Sequence, residues 1–480
     1  MAINLSRNTK VFFTTNVDSN GVITDANSGF TSANTFEIRV QDGYSFTQST
    51  QQQVITISEG GNTPVRGQRA FNSQLDPVDF SISTYMCPTL AADIVSPQER
   101  VLWNALLGAG ALDSAGTQLP ITTSPTRSAT TSTGASTAVV VFTGDVRSLI
   151  PAGTAVNFNN STAHANWNQG AVVLGTPVFS TNTTATVEFF KAPAVAAGLG
   201  AGSGVKAYLG QWAPSGTTSG MFSYANTLGS NKNQLLKFGM IFCVDNAVYL
   251  VNNCAMDSVS IDFGLDAIAT AAWAGKGVSL VTAGTVTKTH LESNSTNYPA
   301  EVNVRYITNK LSTVTLHSNI GGNENTAVAS TVYSLAITGG NLTIANNINY
   351  LVPANLGVVN NSIGYFTGQR AITGNVTAYL RTGEANSTGT LLSDMQTSAS
   401  TTTEPKFRLQ LEMGGASNEN KIEFEMPGVV LQLPTIDVAE VVSTTVNFTA
   451  QGFTSDVNGA SVPSFDLTKA NDLTVRYFSN

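Results

Sequence analysis

The sequence predicts a mainly β protein, and three observations carry that reading. Only 11% of residues are charged, while Thr, Ser, Asn, Gly, Val and Ala dominate, a mixture that suits short strands joined by turns better than long helices. Apolar and polar residues alternate in Phe36-Glu37-Ile38-Arg39-Val40, Val54-Ile55-Thr56-Ile57, Phe80-Ser81-Ile82-Ser83-Thr84-Tyr85, Phe407-Arg408-Leu409-Gln410-Leu411 and Ile422-Glu423-Phe424. Period two marks strands with one buried face. The third observation is a long internal repeat, developed below.

One segment breaks the alternation. Ser96-Pro97-Gln98-Glu99 supplies an N-cap, a proline for the first helical turn and a capping-box glutamate; Val101, Leu102, Ala105 and Leu106 then form one apolar stripe before Gly108. This predicts a short helix packed on a sheet.

The 480 residues suffice for two to four units at roughly 100 to 200 residues per domain. A net charge of −8 argues against gripping a phosphate backbone, which needs clustered Lys and Arg. Cys87, Cys243 and Cys254 lie in apolar contexts without CxxC spacing, so they read as small core residues rather than a disulfide framework or zinc site. Met1 to Lys10 lacks an apolar signal core, and no window approaches the roughly 18 apolar residues of a membrane span. The expectation is a soluble chain made in a reducing cytoplasm. His164, His290 and His317 stand in unlike contexts, without HExxH, a nucleophile elbow or a phosphate loop; no catalytic residue, cofactor site or metal site is predicted.

Gly-Gln-Arg-Ala occurs twice, at Gly67 to Ala70 and Gly368 to Ala371. Each copy precedes a strand, Phe80 to Tyr85 and Val376 to Leu380, and each follows a hydroxyl- and amide-rich pair, Tyr44 to Ile57 and Asn341 to Leu351. Farther on, Met256 to Gly277 aligns with Met426 to Gly452, setting Asp266 against Asp437 and Trp273 against Phe448. Similar order on this scale indicates duplication. The first copy is interrupted by a Thr/Ser-rich stretch, Thr122 to Thr137, and an Ala/Gly-rich one, Ala192 to Gly204, around apparent strands at Ala138 to Phe142, Gly170 to Leu174 and Thr184 to Phe190. This is either an inserted β domain with linker-like borders or a long strand-bearing loop. The expected division is residues 1–116 with 216–299 for the first repeat, 117–215 for the insertion and 300–480 for the second repeat.

Arg7-Asn8-Thr9-Lys10-Val11-Phe12, Val40-Gln41-Asp42, Pro64-Val65-Arg66-Gly67 with Phe71-Asn72-Ser73, and Phe80 to Tyr85 resemble, in that order, the first half of the tail tube proteins of T-five-like siphophages. Tyr306-Ile307-Thr308-Asn309-Lys310-Leu311, Ile337 to Ile344, Asn347 to Leu351, Phe366-Thr367-Gly368 and Val376 to Leu380 continue the resemblance through the second half. It implies two fused tail-tube repeats, each a β-sandwich or half-barrel with a short flanking helix. It further implies homotrimeric, pseudo-hexameric rings stacked around a tape-measure protein, a terminator, a distal tail complex, and passage of DNA through the lumen. Two departures are the inserted segment and a carboxy-terminal stretch, 453–480, too short for the immunoglobulin-like domain of the family's type member.

Stacked rings close through heterologous interfaces, and strands of neighbouring subunits can join one barrel. Ser45, Thr47, Gln48, Ser49, Asn341, Thr343 and Asn346 are the candidate channel lining, with Phe46, Leu342 and Ile344 on the opposite face. Arg66, Arg69 and Arg370 are candidates for ring-interface contacts with acidic groups. Two other readings remain: an extracellular β-rich adhesin, which would need a secretion signal, and a receptor-binding tailspike, which would need many short coil repeats and paired acids.

Overall fold

A computed structural model describes residues 8–55, 69–88, 90–91, 94–95, 97–107, 117–130, 136–150, 155–159, 170–189, 206–209, 221–225, 235–296, 306–318, 332–354, 356, 359–401, 406–415, 420–437, 441–451 and 473–478. Strands dominate. The alternating segments near the amino terminus form β1 (Lys10–Thr14), β2 (Thr35–Ile38), β3 (Ser45–Ile55) and β4 (Arg69–Tyr85), followed by helix α1 (Arg100–Leu107). After the interruption come β5 (Phe238–Val244), β6 (Ala247–Asp262), β7 (Thr270–Gly277) and helix α2 (Lys288–Asn294). The remainder supplies β8 (Thr313–Ser318), β9 (Val332–Leu335), β10 (Ile337–Ala345), β11 (Ala371–Tyr379), helix α3 (Thr388–Thr401), β12 (Lys406–Gly414), β13 (Lys421–Leu431), β14 (Thr435–Asp437), β15 (Ser443–Gln451) and β16 (Thr474–Phe478).

Hydrogen-bonded neighbours reveal the same topology twice. In the amino-terminal half the order is β2-β1-β5-β6-β7-β4-β3. In the carboxy-terminal half it is β9-β8-β12-β13-β15-β11-β10. Chain order matches as well, with α1 and α3 each lying between the fourth and fifth strands of its half. Register corrects the sequence alignment: Asp262 faces Thr270 and Asp437 faces Ser443, so Asp437 corresponds to Asp262 rather than Asp266, and Val446, not Phe448, takes the place of Trp273. The turn linking the two strands is shorter in the second copy, 438–442 against 263–269, and alignment by composition slid across that difference.

Each half bends at one shared strand. The first part of β6 pairs with β5 and the last part with β7, with a register shift between Met256 and Ser258. A bulge increases local twist and turns the strand from one leaf into the other. Between the leaves Phe13 stacks on Phe238 at 4.5 Å, Phe46 stacks on Phe242 at 4.5 Å, and Phe80 meets Phe238 edge-on at 6.5 Å. The halves share one apolar core, because β6 also pairs with β10 and α1 is inserted against both. Trp103 of α1 lies 4.9 Å from Trp273 of the first half and 6.1 Å from Phe424 of the second.

The helix falls where the apolar stripe predicts, although Ser96 lies outside the described residues. Glu99 is buried, and its Oε1 accepts from the Cys87 amide at 3.2 Å and the Tyr477 hydroxyl at 2.9 Å. All three cysteines are buried. Helix α3 carries little apolar periodicity; among its described side chains Thr388, Leu391 and Met395 are buried.

The two copies have diverged on the side of the β5–β6 and β12–β13 pairs that lies away from the shared core. Ile241, Cys243, Val248 and Leu250 form an apolar cluster with Phe12 in the first half. Their register counterparts are Gln410, Glu412, Glu423 and Glu425. Lys421 pairs with Glu412 at 3.0 Å and Glu423 at 2.5 Å, while Arg476 pairs with Glu423 at 3.4 Å and with Glu425. Buried charges persist only when paired in this way.

A separate seven-stranded sheet occupies Thr117–Leu209, with its own core of Leu119, Val140, Phe142, Val156, Phe158, Val173 and Val187. None of its strands pairs with the large sheet among the described residues. It contains the apparent strands read from the sequence as far as Phe189; Ala192 to Gly204 lies outside the described residues. Much of the Thr/Ser-rich stretch read as linker is instead strand: Ile121–Thr130 pairs with Ser136–Phe142 at the sheet's edge. Threonine is β-branched and favours extended backbone. Pro125 is tolerated because it falls at a register shift on that edge strand, between Thr123 and Thr126.

Candidate channel-lining surface

One leaf of the large sheet runs through both halves as β3-β4-β7-β6-β10-β11-β15-β14. Side chains alternate between its faces. One face enters the core with Phe46, Ile82, Trp273, Ile261, Leu342, Val376 and Val446. Cross-strand register fixes the other. Ser83, Ala272, Ser260, Thr343, Thr373 and Thr449 form one unbroken row over six strands, all small and neutral.

Hydroxyl and amide groups on this face bond to one another. Ser45 and Ser81 hydroxyls lie 2.8 Å apart, Thr377 and Thr445 hydroxyls 3.1 Å apart, and Thr343 donates to Asn341 Oδ1 at 2.9 Å. Asn341 Nδ2 spans the junction between halves, donating to Ser260 Oγ at 3.0 Å and Asp262 Oδ1 at 2.5 Å. Among the described residues charge enters at Asp79 and Lys276, which are register neighbours, at Asp262 and Asp437, and at Asp76, whose carboxylate accepts from the Ser49 hydroxyl at 3.1 Å. Chemically, the face offers short neutral dipoles already engaged laterally and few sites for a phosphate.

Five predicted lining residues lie on this face. Ser45, Thr47 and Ser49 are exposed on β3, and Asn341 and Thr343 are half-buried on β10. Gln48 and Asn346 do not. Gln48 points to the Phe46 side, where its amide donates to the Asp76 and Val278 carbonyls at 2.9 and 3.3 Å and accepts from Leu280 N at 3.1 Å. Asn346 lies beyond the end of β10 and is buried, donating to the carbonyls of Leu106 at 3.0 Å and Met256 at 3.1 Å. Its Oδ1 accepts from Arg370 Nε at 2.9 Å, which places that arginine in an intrachain contact. Arg66 and the side chain of Arg69 lie outside the described residues. Polar character alone cannot distinguish a solvent-facing amide from one that bonds buried carbonyls.

The placement of Asn346 carries a stability prediction. Asn346→Ala strands two buried carbonyls and is expected to cost roughly 2 to 4 kcal/mol, whereas Thr343→Ala on the open face costs about 0.5 kcal/mol. Urea unfolding midpoints of the two variants check this; equal midpoints would place Asn346 at the surface.

Sequence reasoning missed the contribution of β6, β7, β11 and β15 to the face. Their signal was present as hydroxyl residues between apolar ones in Val259-Ser260-Ile261 and Ile372-Thr373, but only register shows that these rows join.

No family model matches the chain. It is 23% identical over 465 residues to the tail tube protein pb6 of Escherichia phage T5, an alignment covering 94% of this chain and 73% of that relative. An alignment of that extent, joined to an architecture of large antiparallel sheets, supports a T5-like bacteriophage tail tube protein, a structural component of the virion tail.

Proposed function

We propose that three chains close into a ring of six similar wall units, and that rings stack into a hollow conduit for DNA ejection. The observation that carries this reading is the topology repeated within one chain, since two equivalent wall units per chain halve the number of chains a six-unit ring requires. The continuous face of Ser, Thr, Asn and Ala is the proposed lumen. Its scarcity of cations suits rapid passage, because each phosphate neutralised by the wall would strengthen attachment. DNA would pass without specific binding.

In this reading residues 1–116 with 216–299 and residues 300–480 are the wall units, and 117–215 decorate the outside. Separate pairing and a separate core support that division. Ring-to-ring contact is assigned to the end where Asn360–Asn361 pairs with Gln74–Leu75. Val54, Phe71, Leu351, Ile363 and Phe366 are exposed along these segments, and apolar groups gathered in this way mark association surfaces. The tape-measure protein, terminator and distal tail complex are partners implied by the family resemblance.

Mass measurement on isolated rings tests the proposal. Three chains per ring are expected, with a central hole visible by negative-stain microscopy; six chains per ring would overturn the two-unit reading.

A further inference from the structure

Within the chain, the two halves meet at a seam in which β6 pairs with β10 as Ser260↔Thr343, Ile261↔Leu342 and Asp262↔Asn341. Ile261 and Leu342 are completely buried there. Register carries each side of this seam onto a second strand. With Asp262 matched to Asp437, the pairings across β7 and β4 on one side, and β15 and β11 on the other, match Tyr85 to Tyr379. They then match Ser45, Phe46 and Thr47 to Asn341, Leu342 and Thr343. Strand β14, Thr435-Ile436-Asp437, therefore corresponds to Ser260-Ile261-Asp262, and β3 corresponds to β10.

These two counterparts are the outer strands of the continuous leaf, and neither pairs with another described strand on its outer side. Their apolar residues show what is missing. Ile436 is 45% exposed, although its counterpart Ile261 is 0% exposed, and Phe46 is only partly covered. Each edge has the chemistry of one side of a seam already formed elsewhere in the same molecule.

We propose that β14 of one copy pairs antiparallel with β3 of a second copy, in the register Asp437↔Ser45, Ile436↔Phe46 and Thr435↔Thr47. The proposal rests on the ring reading above and specifies its lateral contact. Ile436 closes over Phe46 as Ile261 closes over Leu342, the kind of cross-strand pair that stabilises a sheet. The Asp437 carboxylate accepts from the Ser45 hydroxyl, as that of Asp262 accepts from Asn341. Pro434 stands where Val259 stands in the internal seam and has no N–H to donate, which limits the new ladder to three pairs. Because the edges differ, contact is head to tail and leads to a closed ring instead of a simple dimer.

Asp437 and Ser45 correspond to a pair between hydrogen-bonded positions, where strands approach closely enough for a disulfide. The native thiols are buried, and burial pushes Cys243 up to about 12, so they compete poorly. A variant carrying Asp437→Cys and Ser45→Cys is assembled, mildly oxidised and separated without reductant. Most chains should run as linked dimers and trimers, and Asp437→Cys with Gln51→Cys should link about tenfold less. Rings or tubes without the in-register link would overturn the seam and leave the ring reading standing. Failure of the unsubstituted chain to form rings at any concentration would overturn both. Should the cysteine variant not fold, Ile436→Asp decides: a folded chain by circular dichroism that no longer forms rings supports the seam, and normal rings overturn it.

Discussion

Replacing Trp103 by alanine is expected to lower stability by about 3 to 5 kcal/mol, the range for removing a fully buried large aromatic side chain. The indole is completely buried in α1. It rests edge-on against Trp273, reaches Phe424 and donates from Nε1 to the Tyr477 hydroxyl at 2.7 Å. Those partners lie in both halves, so the cavity would open where the halves share their core. Trp103→Phe should recover more than half of the loss by keeping ring contacts, although it gives up the hydrogen bond. Denaturant midpoints for the two variants check this. A loss below about 1 kcal/mol for Trp103→Ala would mean that the indole is not buried between the halves.

Glu99→Gln is expected to remove a pH dependence of stability. Burial pushes the Glu99 carboxyl from an ordinary value of 4.5 up to about 8, against the opposing effect of the hydrogen bonds from Tyr477 and Cys87. Between these values the folded chain holds a proton that the unfolded chain releases, so stability falls as pH rises through this window. Below about pH 4.5 both states are protonated and the group contributes no penalty. At pH 7 the penalty is on the order of 3 kcal/mol, from 1.36 kcal/mol per unit. Glutamine retains an oxygen for Cys87 and Tyr477 and places an uncharged group at Oε2, which has no hydrogen-bond partner among the described residues. The variant should match the parent near pH 5 and exceed it by roughly 2 to 4 kcal/mol at pH 8. Thermal unfolding of both proteins from pH 5 to 8 decides the matter; parallel curves would show that Glu99 is ionised in the fold.

The amino-acid order alone was enough for the strand-dominated class, the position of α1 and the existence of a long repeat. These are local properties: alternation at Phe80 to Tyr85 sorts buried from open side chains, Pro97 and the stripe through Leu106 define one helix, and a recurring order needs no coordinates. Local chemistry also misled. The threonines of Ile121–Thr130 looked like a linker although they pair as an edge strand. Gln48 and Asn346 looked like lumen residues although they bond backbone carbonyls, inside the core for Asn346. Tertiary structure decided which rows join across β3 to β14, that Asp437 matches Asp262, and that Ile436 remains open where Ile261 is closed. The reason is physical. Strand pairing is made between residues far apart in the chain, and a shift of one residue exchanges the two faces, so neither the register nor the composition of the open face is determined until the strands meet.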